Sequence, residues 1–449
     1  MKKIIFKYSG WLLIFSAIIL LSNCATVIEK KCISEKEEIV KKTTLANGLS
    51  IITREIPNNI VSLQIWFKVG SRNEDEKNNG LSHFIEHLIF KGTKKRGVSQ
   101  LSQEIESVGG KLNGATSKDY TFYYATIAKD FIDLAIDGLI DSVLNPAFDK
   151  DEIEKERKVV VEEILRQEDE PFSTLFNLSN SISYINHAYK MPVIGKKEII
   201  ENLSREDIVA YYNKFYVPEN MIIVITGDFN TEEIVKKIKK YFPKDNTETH
   251  LPSANIKPEF NSLKVEKETN FKKCYLAVSW LAPNVDNEDT YTMDVLTVII
   301  GQGRSSRLYS HLKEKLQICY SIGSSYSTMK DEGLFNIRAT LEEKNEIILE
   351  DKIMEEINKT KEGVSLNELN KAKAIIENNY IFEHETNESI GNSLGYYEAI
   401  SSYKLELFYL DNIKKVNLDD VKKVANKYLS GKPSIVVLKH EKTDKRNNK

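Results

Sequence analysis

Two histidines and a glutamate in the segment 80–90, GLSHFIEHLIF, have the types and the spacing that metal chemistry needs. Positions i and i+4 share one face of a helix, so His83 and His87 would present two imidazole nitrogens to one ion. Glu86 borders the same face, where a carboxylate can accept a proton from a water molecule that the metal acidifies. The apolar residues between them would fix this helix in a core. The segment therefore predicts a hydrolytic metal centre.

A tetrahedral centre with one open position needs a third protein ligand. The best source is the segment 151–170, DEIEKERKVVVEEILRQEDE, which reads as a helix with an acidic face. Spacing alone leaves several candidates open, namely Glu152, Glu154, Glu156, Glu162 and Glu163. Glu156 and Glu163 lie two helical turns apart on one face, so one could bind the metal while the other supports it from outside.

The elements that must position these residues are repeated along the chain. LSREDIVAYYNKFYVPENMIIVITGD from Leu203 and NLDDVKKVANKYLSGKPSIVVLKH from Asn417 both read as helix, turn and strand. Asp207 pairs with Asp420 and Ile222 with Ile435 at a constant offset of 213 residues, close to half of the 449-residue chain. An offset of this size indicates duplication rather than a short-period solenoid.

The duplication predicts an α+β fold of two homologous halves, because one hydrophobic core does not serve a chain of this length. The polar, proline-containing stretch between them is the natural linker. In the first half, helices are predicted at 77–92, 98–108, 129–144 and 149–168, with a strand at 121–127 between them. In the second half, helices are predicted within 288–316. The predicted units are 1–24 signal sequence, 25–42 tether, 43–242 metal-binding half, 243–260 linker, 261–440 second half and 441–449 disordered tail.

These motifs resemble the pitrilysin and insulinase superfamily of metallopeptidases, nearest to the bacterial relatives of the mitochondrial processing peptidase β subunit. The H-x-x-E-H order is the inverzincin signature. The resemblance implies one Zn²⁺ per chain, with Glu163, 76 positions beyond His87, as the third ligand. It assigns Glu156 to assist the site. It also implies two α/β-roll halves that close around a chamber, across roughly residues 43–440.

The resemblance assigns substrate contacts as well. LNGATSKDYTFYY at 112–124 is similar to the family's edge strand, so Asn113 and Gly114 would pair with the substrate backbone by strand addition. In the second half, Tyr320 matches the tyrosine that stabilises the scissile carbonyl oxygen. Lys313 stands where the family has an arginine, and a lysine lacks the planar fork of that side chain. The helix DTYTMDVLTVII holds no histidine, so the second half should bind no zinc.

The composition limits the partners of the chain. Lys and Arg number 63 and Asp and Glu 66, a formal net charge of −3, which argues against a nucleic-acid partner. No C-x-x-C spacing offers a thiolate metal site, and Cys274 and Cys319 lie in apolar, strand-like contexts typical of core residues.

The N-terminus has the layout of an export signal, with three lysines ahead of the apolar stretch 11–21. The run LSNC that ends at Cys24 resembles a bacterial lipobox, from which Asn23 departs. We expect an exported lipoprotein of the periplasm or cell envelope. A simply cleaved signal and an uncleaved anchor are the alternatives.

Together these features predict a zinc-dependent endopeptidase that cleaves peptides or unfolded polypeptides. Glu86 would be the general base, and Tyr320 with Lys313 would stabilise the oxyanion. The alternatives are an inactive or partner-dependent subunit, as a homodimer or with a related chain, a peptide-binding lipoprotein scaffold, and non-proteolytic zinc hydrolysis.

Overall fold

The chain folds around two mixed β-sheets, described here from a computed structural model that covers residues 38–243 and 256–441. The predicted signal sequence, most of the tether, most of the linker and nearly all of the tail lie outside these residues. Within the described ranges, no helix combines the length and the apolar character needed to cross a bilayer.

The first sheet is built entirely from the first half of the chain. Its strands are β1 (Lys41–Thr44), β2 (Ser50–Glu55), β3 (Ile60–Phe67), β4 (Lys111–Thr116), β5 (Thr121–Ala128) and β6 (Met221–Gly227). The order across the sheet is β1-β2-β6-β3-β5-β4. Strands β2 and β6 are parallel and all other neighbours are antiparallel. Strand β4 is therefore left at an edge.

The second sheet repeats this topology without a counterpart of β1. Its strands are β7 (Lys264–Thr269), β8 (Cys274–Leu281), β9 (Ser321–Tyr326), β10 (Leu334–Leu341) and β11 (Ser434–His440). The order is β7-β11-β8-β10-β9, with β7 and β11 parallel and the other neighbours antiparallel. Strand for strand, this is the arrangement of β2-β6-β3-β5-β4. The predicted α+β class with two equivalent halves is confirmed.

Helices cover both sheets. Those of the first half are α1 (Leu81–Ile89), α2 (Gln100–Ser107), α3 (Ile132–Leu144), α4 (Lys150–Glu168), α5 (Pro171–Ser183), α6 (Lys197–Asn202), α7 (Arg205–Phe215) and α8 (Thr231–Lys239). Those of the second half are α9 (Asp289–Gly301), a π-helix (Tyr309–Lys315), α10 (Glu346–Glu362), α11 (Leu366–Glu383), α12 (Asn387–Ile400), α13 (Lys404–Leu407), α14 (Tyr409–Lys415) and α15 (Leu418–Tyr428).

Two equivalent helices are exchanged between the halves. Helix α5, from the first half, packs on β8 and β11, where Leu175 meets Ala277 and Val436. Helix α12, from the second half, packs on β3 and β6, where Leu394 joins the cluster around Trp66. Each sheet thus buries one face against a helix from the other half, whereas the largest apolar cluster of each half consists of that half's own residues.

The predicted helices agree with the structure except at their ends. Helix α1 begins at Leu81 rather than at 77, because Gly80 at its N-cap has a φ of 100° that breaks the helical path. The region 288–316 is interrupted after Gly301 and resumes as the π-helix. Cys274 and Cys319 are buried free thiols, as a core assignment requires.

We predict that Gly395→Ala destabilises the fold by about 1–3 kcal/mol through overpacking. A Cβ atom at Gly395 would lie 2.2 Å from the Trp66 ring, which stacks on Phe122 with 4.0 Å between ring centroids. The clash outweighs the roughly 1 kcal/mol gain in helix propensity. Urea denaturation followed by circular dichroism measures the change. Gly431→Ala is the matched control, since a Cβ there meets nothing within 4 Å, and equal midpoints for the two variants would contradict the packing described here.

Candidate metal centre

The helix that carries the H-x-x-E-H segment is anchored at its first turn by a buried carboxylate. Glu74 accepts hydrogen bonds from the backbone N–H groups of Gly80 and Ser82, each at 2.7 Å, and from the Asn79 side chain at 3.0 Å. A carboxylate that accepts bonds at a helix N-terminus satisfies otherwise unpaired N–H groups and complements the helix dipole. Four apolar side chains of α1, namely Phe84, Ile85, Leu88 and Ile89, are fully buried. The polar face of α1 is therefore fixed in orientation.

Two helices bring the predicted ligands together. Nε2 of His83 and Nε2 of His87 lie 3.8 and 3.6 Å from the same oxygen of Glu163 on α4. The three donor atoms all lie within 4.8 Å of one another. Ligands at about 2.0–2.1 Å from a tetrahedral ion are roughly 3.4 Å apart, so this spacing matches three ligands around one zinc ion.

The chemical state of the imidazoles also fits a metal. Burial, reinforced by the neighbouring His87, lowers the pKa of His83 to about 3, so its ring is neutral and keeps a lone pair for an ion. Nδ1 of His83 is buried and has no hydrogen-bond partner among the described residues. Two imidazoles and one carboxylate are a ligand set that zinc prefers.

Glu156 lies beside this trio, on the same face of α4 as Glu163 and two turns before it. Its Oε2 atom is 3.2 Å from Nδ1 of His87, and its Oε1 atom is 2.7 Å from Nζ of Lys91. A carboxylate on the second ring nitrogen fixes the tautomer and orientation of a metal-binding histidine. Glu156 is thus placed to orient His87, and Lys91 to hold Glu156.

Glu86 reaches toward the edge strand from the same face of α1. Its Oε2 atom accepts a hydrogen bond of 2.6 Å from the Thr116 hydroxyl at the end of β4. Burial raises the pKa of Glu86 above its usual range, with a contribution from Glu163, while the Thr116 bond and His87 oppose the shift. A carboxylate held this way between strand and ligands is positioned for proton transfer.

Strand β4 presents an open edge directly over α1. Ser117 N–H donates to the Tyr120 carbonyl, so by antiparallel alternation the main-chain groups of Leu112, Gly114 and Thr116 point away from β5. The Gly114 N–H donates instead to Oδ1 of Asn113, at 2.9 Å. A Cβ atom at Gly114 would lie 3.3 Å from Cγ of Glu86, so this edge runs alongside the Glu86 side chain.

Tyr320 and Lys313 make their contacts elsewhere. Tyr320 is 46% exposed, its hydroxyl donates to Glu342, and Nζ of Lys273 lies 4.4 Å from its ring centre. Lys313 lies in the π-helix and donates to the Tyr309 hydroxyl at 3.1 Å. No ion pair or hydrogen bond within 38–243 and 256–441 joins either side chain to His83, His87 or Glu163.

Sequence reasoning missed two residues of the site. Thr116 could have been found, since it lies two positions beyond Gly114 in an alternating strand and so faces the same way. Lys91 could have been found because it lies four positions beyond His87, just past the end of α1. Both were passed over because threonine and lysine are not metal ligands in this pattern.

Comparisons with known proteins assign this fold to one class. Residues 50–197 match the family model described as Insulinase (Peptidase family M16), and residues 202–376 match Peptidase M16 inactive domain. An uncharacterized zinc protease of Rickettsia felis is 30% identical over 395 residues, which are 86% of this chain and 94% of that protein. The chain belongs to the insulinase (M16) family of peptidases.

Individual relatives agree with this assignment. The uncharacterized zinc protease YmxG of Bacillus subtilis is 28% identical over 86% of this chain and 95% of its own length. The crystal structure of a protease from Helicobacter pylori has a TM-score of 0.84 at 25% identity, over 89% of this chain and 99% of that one. At the level of the family, these matches support a peptidase function and zinc as the metal.

We predict that Glu163→Gln reduces zinc affinity by more than about 100-fold, beyond the 10- to 100-fold that loss of an outer-shell partner costs. The amide removes the only anionic ligand of the trio. Elemental analysis after dialysis against a range of free zinc concentrations measures the change. Glu162→Gln is the control, because its side chain is exposed and points off this face. Equal zinc retention in both variants would contradict the assignment of Glu163.

Proposed function

We propose that this protein is a zinc-dependent endopeptidase that cleaves peptides or unfolded polypeptides. The observation that carries the proposal is the convergence of His83, His87 and Glu163 within 4.8 Å, with Glu86 on the same helix and against the open edge of β4. One arrangement thus supplies a metal-binding trio, a base and a surface for an extended chain. Family membership supports the reaction class.

The proposed division of labour follows from where each side chain lies. When bound, zinc lowers the pKa of a water molecule and polarises the carbonyl group of the scissile peptide bond. Glu86 takes a proton from the attacking water and returns it to the leaving amine. Glu156 keeps the His87 ring in its orientation throughout.

The substrate backbone would pair with β4 as an added strand. Such pairing reads main-chain groups more than side chains, which suits a peptidase of broad preference. The Gly114 N–H donates to the side-chain oxygen of Asn113. A carbonyl group of an incoming peptide must therefore displace the Asn113 side chain to accept that hydrogen bond. The absence of a Cβ at Gly114 leaves room for this approach beside Glu86.

Tyr320 and Lys313 are proposed as oxyanion donors in the same reaction. In the described arrangement the Tyr320 hydroxyl donates to Glu342, so the role requires that bond to be released when substrate binds. Lys313 would likewise have to leave Tyr309. Both donors would thus be recruited by the substrate.

A second candidate function is an inactive or partner-dependent subunit that binds peptides. It is favoured by the engagement of Tyr320 and Lys313 with other residues, and by lysine at the position of the family arginine. The purified chain, incubated alone with a quenched fluorescent peptide, separates the two functions. Chelator-sensitive cleavage supports the autonomous enzyme. Cleavage only after a related chain is added supports the subunit.

We further propose that the protein is exported and attached to the membrane through Cys24 or an N-terminal anchor. The support is the sequence of residues 1–24, with its basic start and apolar stretch. Peptides of the cell envelope would then be the available substrates.

We predict that Glu86→Gln lowers the turnover number by at least about 100-fold, the lower end of what general acid–base catalysis contributes. The amide cannot accept a proton, whereas the three metal ligands are unchanged. The turnover number on a quenched peptide and the zinc content are measured on the same preparation. A variant that holds zinc and cleaves at the wild-type rate would refute the role of Glu86.

We predict that Thr116→Val lowers the turnover number roughly 10- to 100-fold while KM changes less than about twofold, since a hydrogen bond to a charged group contributes about 1.5–3 kcal/mol. Valine keeps the shape and removes the donor to Glu86. Thr116→Ser should restore most of the rate. Thr126→Val on β5 is the matched control, because that hydroxyl bonds Glu388. Similar losses in both valine variants would point to general damage and not to positioning.

A further inference from the structure

The second half retains the arrangement of elements that builds the metal centre in the first. Helix α9 packs against β9 and α11, as α1 packs against β4 and α4. The two helix pairs follow equivalent strands of sheets with equivalent topology. In the second half, Val298 on α9, Gln302 just beyond α9 and Asn379 on α11 line a space beside this helix pair.

This space in the second half is a cavity of about 370 Å³. Its volume falls within the range of roughly 300–1,000 Å³ that is typical of small-ligand sites. Helices α9, α11 and α12 supply most of its walls. The cavity is separate from the candidate metal centre, and its lining does not include His83, His87 or Glu163.

The charged groups in its walls are mainly acidic. The carboxylates of Asp294, Glu383 and Glu406 line the cavity together with His384, and no lysine or arginine does. Glu406 is paired with Nε2 of His384 at 2.6 Å, and Arg54 acts electrostatically on that histidine from outside the lining. His384 offsets the charge of Glu406, whereas no ion pair among the described residues joins Asp294 or Glu383 to a cation.

Asp294 has no cationic partner in the described part of the chain. Its carboxylate accepts one hydrogen bond, of 2.9 Å, from the Tyr409 hydroxyl. Burial raises the pKa of Asp294 to about 7 despite that bond. A buried carboxylate without a counterion is costly, and a cation in the cavity would relieve that cost.

Tyrosine rings form much of the remaining wall. The Tyr380 and Tyr409 rings are nearly parallel, at 5.9 Å between centroids, and Tyr396 and Tyr397 meet edge to face at 5.0 Å. The hydroxyls of Tyr380 and Tyr396 are tied to Glu406 and to the Thr328 carbonyl, which holds these rings in place. Fixed aromatic faces beside carboxylates are the usual means of binding organic cations.

We propose that this cavity is a binding site for an organic cation, an alkylammonium or alkylguanidinium group, held between the tyrosine rings and the Asp294 carboxylate. The cation is either a free small amine or the basic side chain of a peptide. Only the second source rests on the proposed peptidase function, since binding of a free cation requires no catalysis.

Isothermal titration calorimetry on the full chain tests the site with butylguanidinium and its neutral counterpart, butylurea. We expect butylguanidinium to bind at least about tenfold more tightly, because only the cation interacts with the carboxylates and ring faces. Equal affinity for the two compounds, or no heat from either, would overturn the proposal.

Substitutions in the cavity wall test whether the cation binds there. Asp294→Asn should abolish the preference for the cation, and thermal unfolding confirms that the variant remains folded. Glu383→Gln should weaken butylguanidinium binding severalfold and leave the fold intact, since Glu383 is an exposed side chain in the cavity wall. Glu385→Gln is the matched control, an exposed glutamate two positions away that does not line the cavity. If Glu383→Gln and Glu385→Gln bind alike and Asp294→Asn keeps the preference, the site is elsewhere and the proposal fails.

A peptide arm separates the two sources of the cation. Matched peptides with arginine or citrulline are titrated into the Glu86→Gln protein, which prevents turnover. Tighter binding of the arginine peptide, abolished by Asp294→Asn, supports a basic side chain as ligand. Equal binding of both peptides, with the butylguanidinium preference intact, supports a free amine. Both outcomes are independent of whether the wild-type protein cleaves, so a failure of the peptidase proposal remains distinguishable.

Discussion

The structure depends on holding a polar cluster at the boundary of an apolar core. Helix α1 buries its apolar side chains on one face and presents two imidazoles on the other, and burial keeps His83 neutral. That arrangement is tolerable only if the helix cannot rotate, since a small rotation would bury the imidazoles among apolar groups. Glu74 at the first turn and Glu156 against His87 oppose such rotation from both ends.

The exchange of α5 and α12 between the halves also restricts the movement of the metal-binding half. Because one face of each sheet is covered by a helix of the other half, the halves share two apolar clusters, and packing in these clusters sets their relative position. Charged contacts reinforce the junction near the metal centre. Asp119, in the turn after β4, accepts a bond from the Lys330 backbone, and Arg72 pairs with Asp331 at 2.6 Å. The edge strand is therefore braced by the second half at the turn beyond Thr116.

Duplication also explains how one fold presents two different clusters of polar side chains. The first half brings two imidazoles and a carboxylate together between α1 and α4, whereas the second lines a cavity beside α9 and α11 with carboxylates and tyrosine rings. The backbone scaffold is common to both, and only the side chains on the facing surfaces differ. Function in such a protein resides in the side chains that a repeated scaffold brings together.

The sequence by itself determined the elements and the ligands on one helix. His83, Glu86 and His87 are within five residues, so helical geometry fixes their relation without tertiary information. The 213-residue offset likewise revealed the duplication. Spacing could not choose Glu163 from its acidic neighbours, because the approach of α4 to α1 arises from packing between residues distant in sequence. The exchange of α5 and α12, the bond from Thr116 to Glu86 and the cavity beside Asp294 were decided only by the tertiary structure. Each joins groups whose contact depends on long-range burial, and no local pattern encodes that contact.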